Sequence, residues 1–271
     1  MSETILTPLS GTLARVALAG LQAADTSALL GAPKEPGWIS AADLSRDDAL
    51  FEELLDQVER GYGGGGRALA GTMFLRGYLW RLLAPVVTAL LLEHRAPDPG
   101  MENVALRFGE HGRPEGLAFV KERFAALRSD PDAAQAGAVV LPGEKELAAW
   151  VVERLAEEHL PALISVLRRR GTRRSARALS GIAADTIAES FMWLGRGLEK
   201  EREAREIAVE TLDGDFVIPG STNYYVLKHD GGSMTTRVRN VCCLYYRLGK
   251  GACFTCPRTT KEERLRRLAE G

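Results

Sequence analysis

Cys242-Cys243-Leu244-Tyr245-Tyr246-Arg247-Leu248-Gly249-Lys250-Gly251-Ala252-Cys253-Phe254-Thr255-Cys256 holds every cysteine of the chain, and residues 1–241 contain none. Four thiols so close in sequence suit Zn2+ or an iron–sulfur cluster, because both take tetrahedral sulfur ligation from deprotonated cysteine. Structural zinc usually uses two C-x2-C knuckles, each aiming two sulfurs at one ion. The adjacent pair Cys242-Cys243 is a poor knuckle, since neighbouring side chains diverge. Divergent thiolates suit a two-iron centre better, so the residues favour [2Fe-2S] over zinc. A zinc-stabilised, non-redox binding module and an iron–sulfur sensor are the alternatives. A disulfide framework would be spread along a secreted chain rather than gathered at one end.

The flanks of this stretch agree with a redox centre. A thiolate-bound cluster is anionic and gains a further negative charge on reduction, so it needs cations and N–H donors nearby. Residues 237–258 contain Arg237, Arg239, Arg247, Lys250 and Arg258 and no acid. Gly249 and Gly251 let the backbone approach closely. Tyr245 or Tyr246 is expected to donate a hydrogen bond to a cysteine sulfur, with ordinary packing as the alternative. Tyr245, Arg247 and Lys250 are therefore the residues expected around the metal ligands Cys242, Cys243, Cys253 and Cys256.

Working outward, residues 224–228 and 234–241 read as a hairpin across His229-Asp230-Gly231-Gly232-Ser233, and a short charged helix closes the chain. Helices dominate residues 144–211, divided near Pro161 and at Gly171-Thr172. Residues 137–141 suggest a short strand. Residues 104–120 alternate with period two around Glu110-His111-Gly112-Arg113-Pro114, a first hairpin. The first hundred residues read as helices over 7–23, 45–60 and 67–93, with Ser45 as the cap of the second and a kink expected at Pro85. The apolar run 82–92 is shorter than the ~18 residues of a membrane span and is expected in the core. The fold class is α+β, mostly helical, with two β-hairpins and a C-terminal cysteine-rich loop. A body over residues 1–212 and a cluster-binding segment over 213–271 are expected to pack as one unit.

Composition bounds the partners. The 271 residues carry 35 Lys+Arg against 36 Asp+Glu, a net charge of -1, so no global field draws the protein to nucleic acid or an anionic membrane. No export signal is read at the N-terminus, which points to the cytoplasm. Gly61-Tyr62-Gly63-Gly64-Gly65-Gly66 matches G-x-G-x-x-G, but a helix rather than a strand precedes it, so it reads as a flexible connection. The four histidines lack metal-binding spacing and read as surface or turn residues. Arg168, Arg169, Arg170, Arg173, Arg174 and Arg177 read as a solvated helix end.

Val241-Cys242-Cys243-Leu244-Tyr245-Tyr246-Arg247 followed by Cys253-Phe254-Thr255-Cys256-Pro257 resembles the C-terminal signature of the ferric siderophore reductases of the FhuF type: C-C, about ten residues, then C-x2-C. This chain has nine residues between Cys243 and Cys253, one fewer than that pattern. Weaker resemblance extends through ALAGTMFLRGYLWRLLAP (residues 68–85), the hairpin at 104–118 and RALSGIAADTIAESFMWLG (residues 177–195). The body is also similar to the C-terminal domain of certain siderophore synthetases, which lacks the cysteines.

The resemblance implies a cytosolic oxidoreductase that passes one electron from a [2Fe-2S] cluster on Cys242, Cys243, Cys253 and Cys256 to Fe(III) in a siderophore, typically a hydroxamate. It implies a ferredoxin or NAD(P)H-dependent reductase as electron donor; the balanced charge and the short apolar run lead to the expectation of no nucleic acid and no stable membrane insertion. Trp80, Trp193 and the arginines near the cysteines are the residues to test for the siderophore, with core packing expected for both tryptophans.

Overall fold

Acceptor side chains decide where the N-terminal helices begin in the computed structural model, which describes residues 7–19, 21, 24–213, 218, 220–229 and 232–270. α1 (Pro8–Leu18) opens on a proline, harmless in a first turn whose N–H groups lack partners anyway. β1 (Leu29–Leu30) and β2 (Trp38–Ser40) precede α2 (Ala41–Arg46), where the Ser40 hydroxyl accepts from the Asp43 N–H. α3 (Asp48–Gly61) begins at Asp47, whose carboxylate accepts from the N–H groups of Ala49 and Leu50. The expected cap at Ser45 is thus corrected. Ser45 lies inside α2, bonded to the Ala42 carbonyl, and Asp47 breaks the run because its short carboxylate competes for the backbone N–H groups.

α4 (Arg67–Glu93) matches the expected helix and continues through Pro85. It is long and apolar enough to cross a bilayer, yet most of its residues, including nearly all of 82–92, are buried inside the protein. β3 (Arg95–Pro97) follows, then the expected hairpin of β4 (Val104–Phe108) and β5 (Pro114–Phe119), with Val104 opposite Phe119 and Leu106 opposite Leu117. β6 (Phe124–Leu127) and β7 (Ala138–Leu141) complete two small sheets, ordered β1-β5-β4-β2 and β3-β6-β7. β1, β2, β3 and β6 escaped the sequence reading. They are too short to show alternation, and β3 is buried throughout, which erases any period.

Next come α5 (Glu144–Arg154) and α6 (Leu160–Arg169), joined by a π-helical turn at Leu155–His159. Pro161 has no N–H for the carbonyl four residues back, and the Leu160 N–H bonds to Leu155 just before it, so the proline is absorbed as a wider turn. α7 (Ala176–Gly197), capped by Ser175, and α8 (Glu201–Leu212) lead to the hairpin of β8 (Tyr224–His229) and β9 (Gly232–Arg237), then α9 (Lys261–Glu270). Asp230 and Gly231 of its expected turn lie outside the described residues. β9 stops before residue 241 because the N–H groups of Asn240 and Val241 bond to Asp185 of α7 instead. Helix exceeds strand, 53% to 15%, which makes the fold α+β. α4 packs along α7, with α1 and α3 on α4 and α8 on α7.

His159, expected near the surface, is fully buried in the π turn. Its Nε2 lies 2.7 Å from the Pro99 carbonyl and must donate to it, so Nδ1 accepts from the Tyr78 hydroxyl at 2.6 Å. Burial holds this imidazole below the ordinary histidine range, although the Pro99 carbonyl, Glu158 and Asp98 pull the other way. The unfolded chain therefore binds the proton more tightly. Stability is full above the unfolded value of about 6.5 and is lost as pH falls through it, with a slope approaching about 1.4 kcal/mol per pH unit. Urea midpoints measured from pH 7.5 to 5 are expected to fall more steeply in the wild type than in His159→Gln; parallel slopes would refute the assignment.

Candidate metal centre

Two acids one turn apart on α7 organise the cysteine segment. Asp185 and Glu189 sit among Ile182, Ala183, Ala184, Ile187 and Ala188, and both are buried. Asp185 Oδ1 accepts from Arg237 Nη2 at 2.6 Å, from the Asn240 N–H at 2.8 Å and from Asn240 Nδ2 at 2.9 Å. Its Oδ2 takes the Val241 N–H at 3.1 Å, and its main-chain carbonyl takes Arg237 Nη1 at 2.6 Å. Gly181, one turn earlier, makes room for this approach: a Cβ there would stand 2.5 Å from Val241 Cγ2. Glu189 binds Arg239 through both carboxylate oxygens and also accepts from Arg76 Nη2 of α4 at 3.1 Å. Burial alone would raise the Glu189 carboxyl, but Arg239 and Arg76 hold it below its ordinary range.

The four sulfurs stand as two pairs. Cys256 and Cys242 are 3.7 Å apart, close to the ~3.8 Å that two thiolates adopt on one tetrahedral metal at ~2.3 Å. Cys253 donates to Cys243, and Arg239 Nη1 reaches both, at 3.4 Å from Cys243 and 3.7 Å from Cys253. That sulfur contact lowers the Cys243 thiol to about 5 against the opposing effect of burial, helped by the Tyr245 N–H, Arg239 and Arg76. Its partner Cys253 is pushed up by donating to Cys243 and by burial. Leu244, at φ 67°, turns the chain in the left-handed region, and its N–H lies 3.4 Å from Cys242 Sγ. The left-handed turn thus gives each of the adjacent cysteines a backbone donor two residues on. Among the described residues no group of three or more His, Cys, Asp or Glu side chains is arranged to hold a single metal ion.

Distant elements enclose the loop. From α9, Arg264 donates to the carbonyls of Phe254 and Cys256, each at 2.7 Å, and Arg267 to that of Ala252 at 2.7 Å. The glycine run between α3 and α4 passes beside it: Gly63 to Gly66 all have positive φ, and a Cβ on Gly65 would stand 3.2 Å from Leu248. Arg174 is also turned inward, where Cys242 and Cys243 act on its charge, while Arg169 and Arg170 bind Asp48 at the start of α3. Arg168, Arg169, Arg173 and Arg177 are exposed, as expected of a solvated helix end, whereas Arg170 and Arg174 are half-buried.

The expected neighbours of the cysteines sit differently from one another. Tyr245 bonds to Cys243 through its backbone N–H, while its ring meets Tyr62 edge-on with centroids 6.3 Å apart. Arg247 and Lys250 are exposed, and Lys250 lies over the Tyr245 ring. The acids missing from residues 237–258 are supplied by α7, which neutralises Arg237 and Arg239 in part. Trp193 is 41% exposed, under Arg196, rather than in the core. Trp80 is half-buried at the wall of a cavity. Asp185, Glu189 and Arg76 were not singled out from the sequence, although an acid pair within an apolar helix is a usable signal, since buried carboxylates require cationic partners.

Residues 72–206 match the family model described as ferric iron reductase FhuF-like transporter, and residues 239–258 match the FhuF 2Fe-2S C-terminal domain; together they cover more than half of the chain. The chain belongs to the FhuF-like ferric iron reductase family. The cofactor of its C-terminal domain is a [2Fe-2S] cluster. The FhuF-like match begins within α4 and ends within α8, so it takes in both acids of α7, and the 2Fe-2S match begins at Arg239, the residue that joins those acids to the sulfurs. No curated protein matches the chain significantly. The donor set suits the cofactor: Cys242 and Cys256 at tetrahedral spacing, a guanidinium across Cys243 and Cys253, and backbone N–H groups on Cys242 and Cys243.

Proposed function

We propose that this FhuF-like protein is a cytosolic ferric siderophore reductase in which Cys242, Cys243, Cys253 and Cys256 hold the cluster, Cys242 with Cys256 on one iron and Cys243 with Cys253 on the other. The observation that carries this reading is the pairing of the four sulfurs, with Arg239 bridging one pair. Bound there, the cluster supplies one-electron transfer: the donor is oxidised, siderophore Fe(III) becomes Fe(II), and the hard oxygen ligands release it. No acid–base residue is required. Residues 1–212 and 213–271 work as one unit, joined through Asp185 and Glu189.

The chain's own residues have two tasks. Arg239 and the N–H groups of Leu244 and Tyr245 stabilise negative charge on the sulfurs. The exposed Arg247, Lys250 and Arg258 form a basic rim beside the half-exposed Cys242 and Cys253, which suits an acidic electron donor such as a ferredoxin; an NAD(P)H-dependent reductase would serve in the same way. The family resemblance favours hydroxamate siderophores. The test is anaerobic titration of the reduced protein with ferric siderophores, with Fe(II) captured as it forms. One Fe(II) per cluster reoxidised is expected, and failure of every ferric chelate to reoxidise the cluster would overturn the proposal.

Charge near the sulfurs sets the reduction potential. Arg239→Gln is expected to lower it by on the order of 100 mV, from a Coulomb energy of about 2–3 kcal/mol at short range with an effective dielectric near 20–40. Arg247→Gln with Lys250→Gln is expected to lower it by far less, since both side chains are in solvent and screened by salt. Redox titrations at low and high salt check both; an equal fall in the two variants would reject the role given to Arg239.

A further inference from the structure

A cavity of about 530 Å³ opens between α3, α4 and the turn joining β4 to β5. That size lies within the range of small-molecule sites. Tyr62, Phe74 and Trp80 give it an aromatic wall, and Arg76 and Arg113 give it cations. Arg113 rests over the Tyr62 ring at 5.3 Å. Arg81 also lines it but is occupied, donating to the main-chain carbonyls of Asp25 and Ser27.

The cavity shares its walls with the cysteine loop at two points. Arg76 lines it, 27% exposed, and donates to Glu189; Glu189 holds Arg239, and Arg239 reaches Cys243 and Cys253. One side chain thus separates the cavity from the acid that grips the sulfur-bonding arginine. On the other side, Tyr62 meets the Tyr245 ring of the loop. A ligand seated here is linked to the sulfurs through Arg76, Glu189 and Arg239, and through Tyr62 to the Tyr245 ring over which Lys250 lies.

We infer that this cavity binds the iron(III) chelate, with the guanidinium groups of Arg76 and Arg113 against its ionised oxygen donors and Tyr62 and Trp80 against its organic framework. The inference rests on the reductase reading above and adds the location of the substrate. Arginine suits ionised oxygens because its fork of N–H donors matches them in charge and geometry. Among the lining residues Arg76, Arg81 and Arg113 face Asp25 and Glu115, a balance that suits a chelate of low net charge.

Gly77 offers a steric test. It lines the cavity from α4, and a Cβ there would find only Pro114 Cδ, at 3.6 Å, in ordinary contact. Gly77→Phe therefore adds a ring with open space before it and removes a glycine from a helix, a change that favours folding. Arg113→Glu reverses a charge on an exposed residue and gives a second variant with little risk to the fold.

The probe is the gallium(III) complex of desferrioxamine B, a trishydroxamate that is not reduced, titrated calorimetrically into the oxidised holoprotein. The wild type is expected to bind it, and both variants to bind about tenfold or more weakly. Their cluster absorbance and the electron paramagnetic resonance of the reduced form should stay as in the wild type, and Lys121→Gln, in a separate depression, should bind normally. If the gallium complex binds too weakly for calorimetry, KM for the ferric complex is read instead and should rise by the same factor with kcat little changed. Wild-type binding or KM in both cavity variants would overturn the location while leaving the reductase reading intact. A wild-type protein that neither binds the gallium complex nor releases Fe(II) from any ferric chelate would overturn both.

Discussion

Asp185→Ala is expected to detach the cysteine segment from α7, destabilise the protein by about 3–5 kcal/mol and cost most of the bound iron. The size of the effect follows from what the carboxylate leaves behind. Arg237 is 0% exposed and keeps its charge, so removing its partner strands a cation in the interior. The same change orphans the N–H groups of Asn240 and Val241, the two residues that aim the chain at Cys242. Asp185→Asn keeps one acceptor oxygen but no charge and should fall between. Urea denaturation, with iron and sulfide analysis of protein prepared without oxygen, measures both effects. A wild-type midpoint together with full iron content in Asp185→Ala would show that the segment is held by something else.

The second large effect is expected from Cys256→Ser, which should abolish the cluster's visible absorbance while the helical body stays folded. Cys256 is buried, 3.7 Å from Cys242, in a turn closed by the Cys256 N–H on the Cys253 carbonyl and by Arg264 on the Cys256 carbonyl. Serine preserves that turn but supplies a hydroxyl that does not deprotonate as readily as a thiol. The body has its own continuous core spanning α1 to α8, so far-ultraviolet circular dichroism should change little. An unaltered absorbance and Fe(II) release rate would remove Cys256 from the ligand set. Global unfolding would mean instead that the cluster organises the body as well as the tail.

These two residues mark the border between what local sequence carries and what it does not. Cysteine spacing is legible in one dimension, because a cluster held by one loop draws its thiols from neighbouring positions. The 27-residue α4 and the β4–β5 hairpin were legible for the same reason: each rests on a periodicity or turn contained within the element. The order of C-C and C-x2-C favoured a two-iron arrangement over paired zinc knuckles, and the match to the FhuF 2Fe-2S domain decided between them.

Asp185, Glu189 and Arg76 belong to the other class. Each is a charged residue in a mostly apolar helix, and its partner is 50 or more residues away or on a different helix. Periodicity says that such a side chain is buried, but not which cation or anion meets it. The basic residues at 237–258 had the reverse ambiguity: as a list they were equivalent, yet Arg237 and Arg239 are buried against acids while Arg247 and Lys250 remain in solvent. Nothing within the loop distinguishes them, because the acids come from α7. The sequence by itself determined the cofactor chemistry, the helical frame and the position of the thiols. Only the packing of α4 on α7 decided which charges face the sulfurs and where a cavity opens beside them, because low-dielectric pairing and empty volume are properties of surfaces brought together from distant parts of the chain.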